Sequence, residues 1–266
     1  MSEEAEPEGL QSLARGLAVL RALAAADGPL TLAQVAHAAT LNRAVTRRVL
    51  LTLVDVGYVL ARGREFSLRP RVLELGEAYR ASLRLPALAL PAMRRLSAAT
   101  GQSISLGVLD GAEVVYVQRV AGARIVDVVL NVGARVPAHA TAIGRVLLAD
   151  LRPGDRAAVL GAGPLEALTP TTVTDPARLG EVLDQVRAQG YAHIDEEFEP
   201  GLTTLAAPVV DDGVVVAAVN LPLSTASLPP WGVGPDLVEA VVAAGREISA
   251  AVAEASGRAG APPGRG

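Results

Sequence analysis

The sequence predicts an α+β chain of two domains, an N-terminal winged helix-turn-helix and, beyond a linker helix, a larger domain built on an antiparallel sheet. Three observations carry this. Residues 30–58 read as two short helices joined by a tight turn, the second rich in arginine. Charge is divided along the chain: residues 9–80 hold ten arginines against five acids, and residues 81–266 hold fourteen against nineteen. From Ser103 onward the apolar residues change from helical spacing to strand alternation, with turn dipeptides between the runs.

Residues 1–8, with Glu3, Glu4, Glu6 and Glu8, are expected to be a disordered acidic tail. Gln11 to Ala25 carries Leu13, Leu17, Leu20 and Leu23 at a helical period and stops at Asp27-Gly28-Pro29. Thr31 is placed to cap the next helix, whose apolar face is Leu32, Val35 and Ala36. Asn42 caps a third helix, in which Val45, Val49, Leu53 and Val56 form the core face. That leaves Asn42, Arg43, Thr46 and Arg47 toward solvent, with Arg48 on the flank. A helix of this kind can enter a DNA major groove with its first turns at the base edges; the alternative for these residues alone is an ordinary amphipathic helix with a solvated arginine face. Past Gly57, residues 58–61 and 65–68 form a hairpin whose turn is Arg62-Gly63-Arg64. An arginine on each side of the tip suits backbone phosphates. These elements make residues 9–69 a winged helix-turn-helix, and residues 70–85 an amphipathic linker helix with Val72, Leu75, Tyr79 and Leu83 on one side.

Residues 86–255 form the second domain, sized for sensing a ligand. A helix over 88–100 is stopped by Gly101. Ile104–Leu109 and Glu113–Val120 make a hairpin turning at Asp110-Gly111, and 125–130 adds a strand. Residues 131–139 read as a loop and 141–149 as a short helix. Helices follow over 153–160 and 176–189, the latter capped by Thr174-Asp175. A strand over 191–194 precedes the acidic run 195–199. A second hairpin, 205–210 with 214–221, and a closing helix over 235–253 complete the domain. Residues 256–266 are a Gly/Pro/Arg tail, expected to be disordered.

Composition narrows the function. The net charge of −4 looks wrong for a DNA-binding protein until it is divided: +5 on residues 9–80, −5 on 81–266 and −4 on the first eight. A basic module on an acidic body is what local phosphate contact requires. The chain has no cysteine, so disulfides, thiolate metal sites and cysteine nucleophiles are excluded. The longest apolar run, near 214–219, is far short of the roughly 20 residues that span a bilayer. The acidic start is the reverse of a secretory signal. A cytoplasmic protein with no membrane partner, cofactor or metal is expected.

From Gln11 to Ala253 the chain resembles the IclR family of bacterial transcriptional regulators. The resemblance rests on Arg15-Gly-Leu-Ala-Val-Leu20, Ala61-Arg-Gly-Arg-Glu-Phe-Ser-Leu68, Arg71-Val-Leu-Glu-Leu-Gly76 and Val115-Tyr-Val-Gln-Arg119. It continues through the run from Val132 to Ala149, Arg187-Ala-Gln-Gly-Tyr191 and Leu205-Ala-Ala-Pro-Val209. Arg47-Arg48 with Leu50-Leu-Thr-Leu53, Leu130-Asn-Val-Gly133 and Gly144-Arg-Val-Leu-Leu148 are most similar to the branch that controls aromatic-acid catabolism. Its inducers are protocatechuate, 4-hydroxybenzoate or β-ketoadipate.

The resemblance implies a GAF-like effector domain, a homodimer or homotetramer, a double-stranded DNA operator and a small organic-acid effector. Asn42, Arg43, Thr46 and Arg47 would read bases, while Arg48, Arg62 and Arg64 hold the backbone. It also implies effector contacts near Ala142, Ile143, Asp195, Thr204, Asn220 and Pro222. Two positions depart from the aromatic-acid branch: His139, where tyrosine is frequent, and Asn220-Leu-Pro222, in place of a serine-rich strand end. From the residues themselves, amides at the start of the 141–149 helix suit a carboxylate. Thr141, Thr203 and Thr204 supply hydroxyls, and Arg119, Arg135 or Arg145 can balance a second charge. The alternative is a hydrolytic enzyme using His139, His193 and Asp195 with Thr141 or Thr204. No nucleophile elbow, phosphate-binding loop or metal-ligand spacing supports it. A scaffold without DNA recognition leaves the N-terminal arginine excess unexplained.

Overall fold

The computed structural model describes residues 10–82, 84–123, 131–161 and 163–257. The strand expected over 125–130, the tail 1–8 and residues 258–266 lie outside the described residues. By its internal contacts the chain divides between Ser82 and Leu83 into two compact units.

The first unit runs α1 (Gln11–Ala24), β1 (Leu30–Thr31), α2 (Leu32–Ala38), α3 (Arg43–Asp55), β2 (Val59–Arg62) and β3 (Glu65–Leu68). Thr31 starts α2 through a reciprocal cap: its hydroxyl accepts from the Gln34 amide, and Gln34 Oε1 accepts from the Thr31 amide at 2.8 Å. Asn42 Oδ1 accepts from the Val45 amide at 2.9 Å and starts α3. Val19, Leu23, Val35, Leu50 and Val59 form the core between these elements. β1 pairs with β3, giving a sheet of order β1-β3-β2. Two residues are too few for alternation to announce a strand, so the sequence showed only the start of α2. In the wing hairpin Arg62 faces Glu65, and the turn is closed by Gly63 at φ +61°. The linker begins as a tight turn over Pro70–Val72 and becomes α4 (Leu73–Ser82).

The second unit runs α5 (Leu85–Thr100), β4 (Ile104–Asp110), β5 (Glu113–Val120), β6 (Arg135–Pro137), α6 (Ala142–Asp150), α7 (Pro153–Leu160) and α8 (Pro176–Gln189). It continues with β7 (Ala192–Asp195), β8 (Leu202–Asp211), β9 (Val214–Ser224) and α9 (Pro235–Ala255). The described strands form one antiparallel sheet of order β6-β5-β4-β9-β8-β7. Its centre is the pairing of β4 with β9, which sets Ser105 opposite Asn220. Helices cover both faces. Met93 of α5 and Ile248 of α9 pack with Ile104, Leu205 and Leu221 on one face. Ile143 and Leu148 of α6 pack with Leu179 and Leu183 of α8 on the other. Strand alternation divides β8 accordingly: Leu205, Ala207 and Val209 face α5 and α9, while Ala206 faces α6.

Two expectations are corrected. The 131–139 loop contains β6, paired with residues 113–115, and a tight turn over Ala138–Ala140. Its three strand residues had been hidden among turn formers. α5 begins at Leu85 and takes Pro86 into its first turn, where a missing N–H costs no intrahelical bond. No described helix is long and apolar enough to cross a membrane.

Candidate functional site

The outward arc of α3 carries Arg43, Ala44, Arg47, Arg48 and Leu51, all exposed. Arg43 and Arg47 are one helical turn apart on the same side. Asn42 is exposed just before them; its Oδ1 is taken by the cap, and its amide nitrogen remains for another partner. Arg62 and Arg64 stand exposed at the wing tip. Thr46 departs from this set. It is 0% exposed, and its hydroxyl donates to the Asn42 carbonyl at 2.9 Å. The solvent face expected for Thr46 is therefore wrong, because the helix is rotated so that Thr46 and Leu50 point inward. Val56, expected in the core, is 46% exposed because α3 ends at Asp55 and Val56 is its C-terminal cap. Ala44 and Leu51 were missed on the outer arc, although their spacing from Arg47 could have shown them.

In the second unit residues of five strands, β4, β5, β7, β8 and β9, and the start of α6 enclose a cavity of about 50 Å³. Ala140, Thr141, Ala142 and Ile143 form one wall. Ser105, Tyr116, Arg119, Thr204 and Asn220 supply polar groups from the sheet, and Phe198 closes one side with Ile194 and Leu202. Thr141 caps α6 by accepting from the Gly144 amide at 3.2 Å. The amides of Ala142 and Ile143 precede the first possible intrahelical bond and carry the positive end of the helix. Gly144 lets this turn sit on the preceding one: a β-carbon there would lie 2.1 Å from the Ala138 carbonyl oxygen.

Arg119 is the one charged side chain among the described residues lining the cavity. Its guanidinium donates to neutral oxygens, Asn131 Oδ1 at 3.5 Å and Ser103 Oγ at 3.3 Å. Asn220 Oδ1 accepts from the Ser105 amide at 3.0 Å and holds β4 to β9 at the cavity floor. Tyr116 is 4% exposed, and burial pushes its phenol well above the usual range, so it remains a neutral donor. The cavity thus combines one cation, a helix N-terminus and neutral hydroxyls, a set suited to a carboxylate with a further polar group.

Of the residues expected to bind an effector, Arg119, Thr141, Ala142, Ile143, Thr204 and Asn220 line this cavity. Arg135, His139, Asp195 and Thr203 do not, and each is engaged elsewhere. Arg135 braces the β4–β5 turn through Asp110 and Glu113, each at 2.7 Å. The hydrogen bonds it donates to Glu113 and then to Asp110 hold its guanidinium pKa above the ordinary value. His139 is buried with Nε2 2.9 Å from the Glu166 carbonyl oxygen. Asp195 lies opposite Thr203 in the β7–β8 pair and accepts its hydroxyl at 2.5 Å. Strand alternation explains the split, since Ile194 and Thr204 face the cavity and their neighbours face away. It also separates the imagined hydrolytic set, because His193 is exposed on the side of β7 opposite Ile194. Arg145 is 2% exposed and pairs with Glu197 at 2.5 Å, so it is not a free counter-charge. Sequence reading missed Ser103, Ser105, Tyr116, Ile194, Phe198 and Leu202. Alternation in 104–109 and 113–120 marked two faces, but not which one held a cavity.

Residues 12–63 match the model of the IclR helix-turn-helix domain, and residues 77–250 that of the bacterial transcriptional regulator IclR C-terminal domain. The Pca regulon regulatory protein of Pseudomonas putida is 40% identical over 218 residues, covering 81% of this chain and 75% of that protein. The p-hydroxybenzoate hydroxylase transcriptional activator of Acinetobacter baylyi is 36% identical over 236 residues, covering 86% and 87%. A crystal structure of an IclR homolog from Microbacterium hydrocarbonoxydans, complexed with 4-hydroxybenzoate, superposes with a TM-score of 0.79. It is 29% identical and covers 91% of this chain and 99% of that one. These relatives regulate transcription, and the hydrolytic alternative falls with them. With both halves of the chain matched in order, a basic helix-turn-helix ahead of a cavity-bearing antiparallel domain, the chain belongs to the IclR family of bacterial transcriptional regulators.

Proposed function

We propose that the protein acts in the cytoplasm as a ligand-responsive regulator of an aromatic or related organic-acid catabolic operon. As a dimer or tetramer it binds a pseudo-palindromic operator. Asn42, Arg43 and Arg47 read base edges, and Arg48, Arg62 and Arg64 hold phosphates. Two copies present their helices one DNA turn apart, about 34 Å. The effector is a small carboxylate taken up between Arg119 and the start of α6.

One observation carries the effector assignment: Arg119 meets no carboxylate among the described residues and shares its cavity with the open amides of α6. The relatives named for Pca and p-hydroxybenzoate regulation, and the homolog complexed with 4-hydroxybenzoate, support the aromatic class. An effector switches the protein only if it binds one arrangement of the assembly more tightly than another.

The test has two arms. Thermal-shift screening of small aromatic and dicarboxylic acids should single out one compound over its neighbours. Gel shifts with the DNA beside the gene should be weakened by Arg47→Ala and Arg62→Ala, and altered by that compound in the wild type. Undiminished DNA binding by both variants sinks the groove-and-wing assignment.

A further inference from the structure

The cavity of about 50 Å³ is far smaller than the roughly 300–1,000 Å³ of ordinary ligand pockets, so an aromatic acid has to widen it. The wall at Ala140–Ile143 cannot yield easily, because Gly144 already packs against the Ala138 backbone. The wall at Phe198 is only half-buried and lies in the irregular segment between β7 and β8.

Glu197, beside Phe198, anchors that segment to α6. Its Oε2 accepts from Arg145 Nη2 at 2.5 Å and from the Val173 amide at 2.9 Å. Its carbonyl accepts from the Thr172 hydroxyl at 2.6 Å. The Glu196 carbonyl accepts from the hydroxyls of Thr169 at 2.7 Å and Thr171 at 2.9 Å. Glu196 itself is held at φ +55°, in the left-handed region that disfavours side chains, so the segment takes its shape from these bonds. On the other side, Arg145 Nε donates to the His139 carbonyl at 2.9 Å. Residues 140–143, between those two partners, are the opposite cavity wall.

We propose that Arg145 and Glu197 form a positioning pair that sets the width of the effector cavity by holding Phe198 against it. Neither residue touches the ligand. The pair ties the two walls together, so ligand entry must load this one ion pair and its hydrogen bonds. A buried pair of this kind is suited to the task, because removing one partner strands the other. The inference takes the cavity to be the effector site, as proposed above.

The chain contains two phenylalanines, Phe66 in the wing and Phe198. Incorporating 4-fluorophenylalanine into the full-length protein therefore gives two fluorine resonances, assigned with Phe66→Leu. Glu197→Gln and Arg145→Lys should shift or broaden the Phe198 signal and leave the Phe66 signal in place. Titration with 4-hydroxybenzoate should move the Phe198 signal in the wild type, and its affinity should change by about tenfold or more in the variants. If either variant fails to fold, the double substitution Arg145→Met with Glu197→Met, which leaves no stranded charge, takes its place. A Phe198 resonance unchanged from wild type in folded variants overturns the positioning role. If the variants move Phe198 but no acid of the panel moves it in the wild type, the positioning role stands and the effector assignment fails.

Discussion

The hydroxyl of Thr46 donates to the carbonyl of Asn42, one turn earlier in α3, at 2.9 Å. The same Asn42 caps that helix through its side chain. Together they set the start and the rotation of α3, turning Thr46 inward and Arg47 outward.

Thr46→Val should therefore leave the operator preference unchanged and alter stability by about 1 kcal/mol or less, the value of a typical intramolecular hydrogen bond. Arg47→Ala should cost about 1–3 kcal/mol of discrimination between operator and mismatched DNA. Fluorescence anisotropy with both duplexes at several salt concentrations measures this. A preference altered by Thr46→Val and untouched by Arg47→Ala would reverse the rotation of the helix.

Arg119 and Arg135 are both arginines on the β5–β6 side of the sheet, but only Arg119 lines the cavity. Arg119→Gln should weaken binding of a carboxylate effector by about 1.5–3 kcal/mol, the usual worth of a hydrogen bond to a charged group. Arg135→Gln should leave that affinity as it was, since Arg135 is committed to Asp110 and Glu113. Calorimetric titration of both variants with the compound found by thermal shift separates the two.

Gly144→Ala places a methyl group 2.1 Å from the Ala138 carbonyl oxygen. Overpacking of this kind costs about 1–3 kcal/mol, and here it also deforms the wall that carries the α6 amides. The expected outcome is a lowered melting temperature together with a reduced ligand-induced shift. Gly154→Ala is the control, because nothing lies within 4 Å of its added methyl group; its melting temperature should be unchanged or slightly raised.

Burial raises the pKa of the Tyr116 phenol, so the folded protein keeps this proton at pH values where the unfolded chain releases it. The associated stability is complete below the unfolded phenol's pKa of about 10 and is lost as pH rises from there through the higher folded value. Urea midpoints measured from pH 8 to 11 should fall more steeply for the wild type than for Tyr116→Phe. Parallel curves would show that the Tyr116 phenol does not keep its proton in the folded state.

Much of the architecture was legible because local chemistry specified it. α7 and α8 lie where Pro153 and Asp175-Pro176 begin them, and the β4–β5 hairpin turns at Gly111-Ala112, one residue beyond the expected Asp110-Gly111, because Asp110 still pairs with Glu113. The exposed arginines of α3 and the wing were legible because they stand off the apolar face of a capped helix and at a hairpin tip, where no described segment covers them. Thr46 was misread because a short polar side chain bonding back to its own helix has the same sequence pattern as one facing solvent.

The cavity was only half legible. Motif matching could name positions along a strand, but the face each residue takes depends on register. A shift of one residue exchanges Thr204 for Thr203, and Ile194 for Asp195. That register is settled by pairing between β7, β8 and β9. Arg145 shows the same limit. Its place on a helix near the cavity was visible, but its neutralisation depends on Glu197, which lies 52 residues away in sequence. By itself, then, the sequence determined two domains, a basic helix-turn-helix with an arginine-tipped wing, and the family, because caps, turns, apolar periods and local charge act over a few residues. Tertiary structure alone decided which side chains share the cavity and which arginine there meets no carboxylate among the described residues, because burial and ion pairing are settled between segments far apart in the chain.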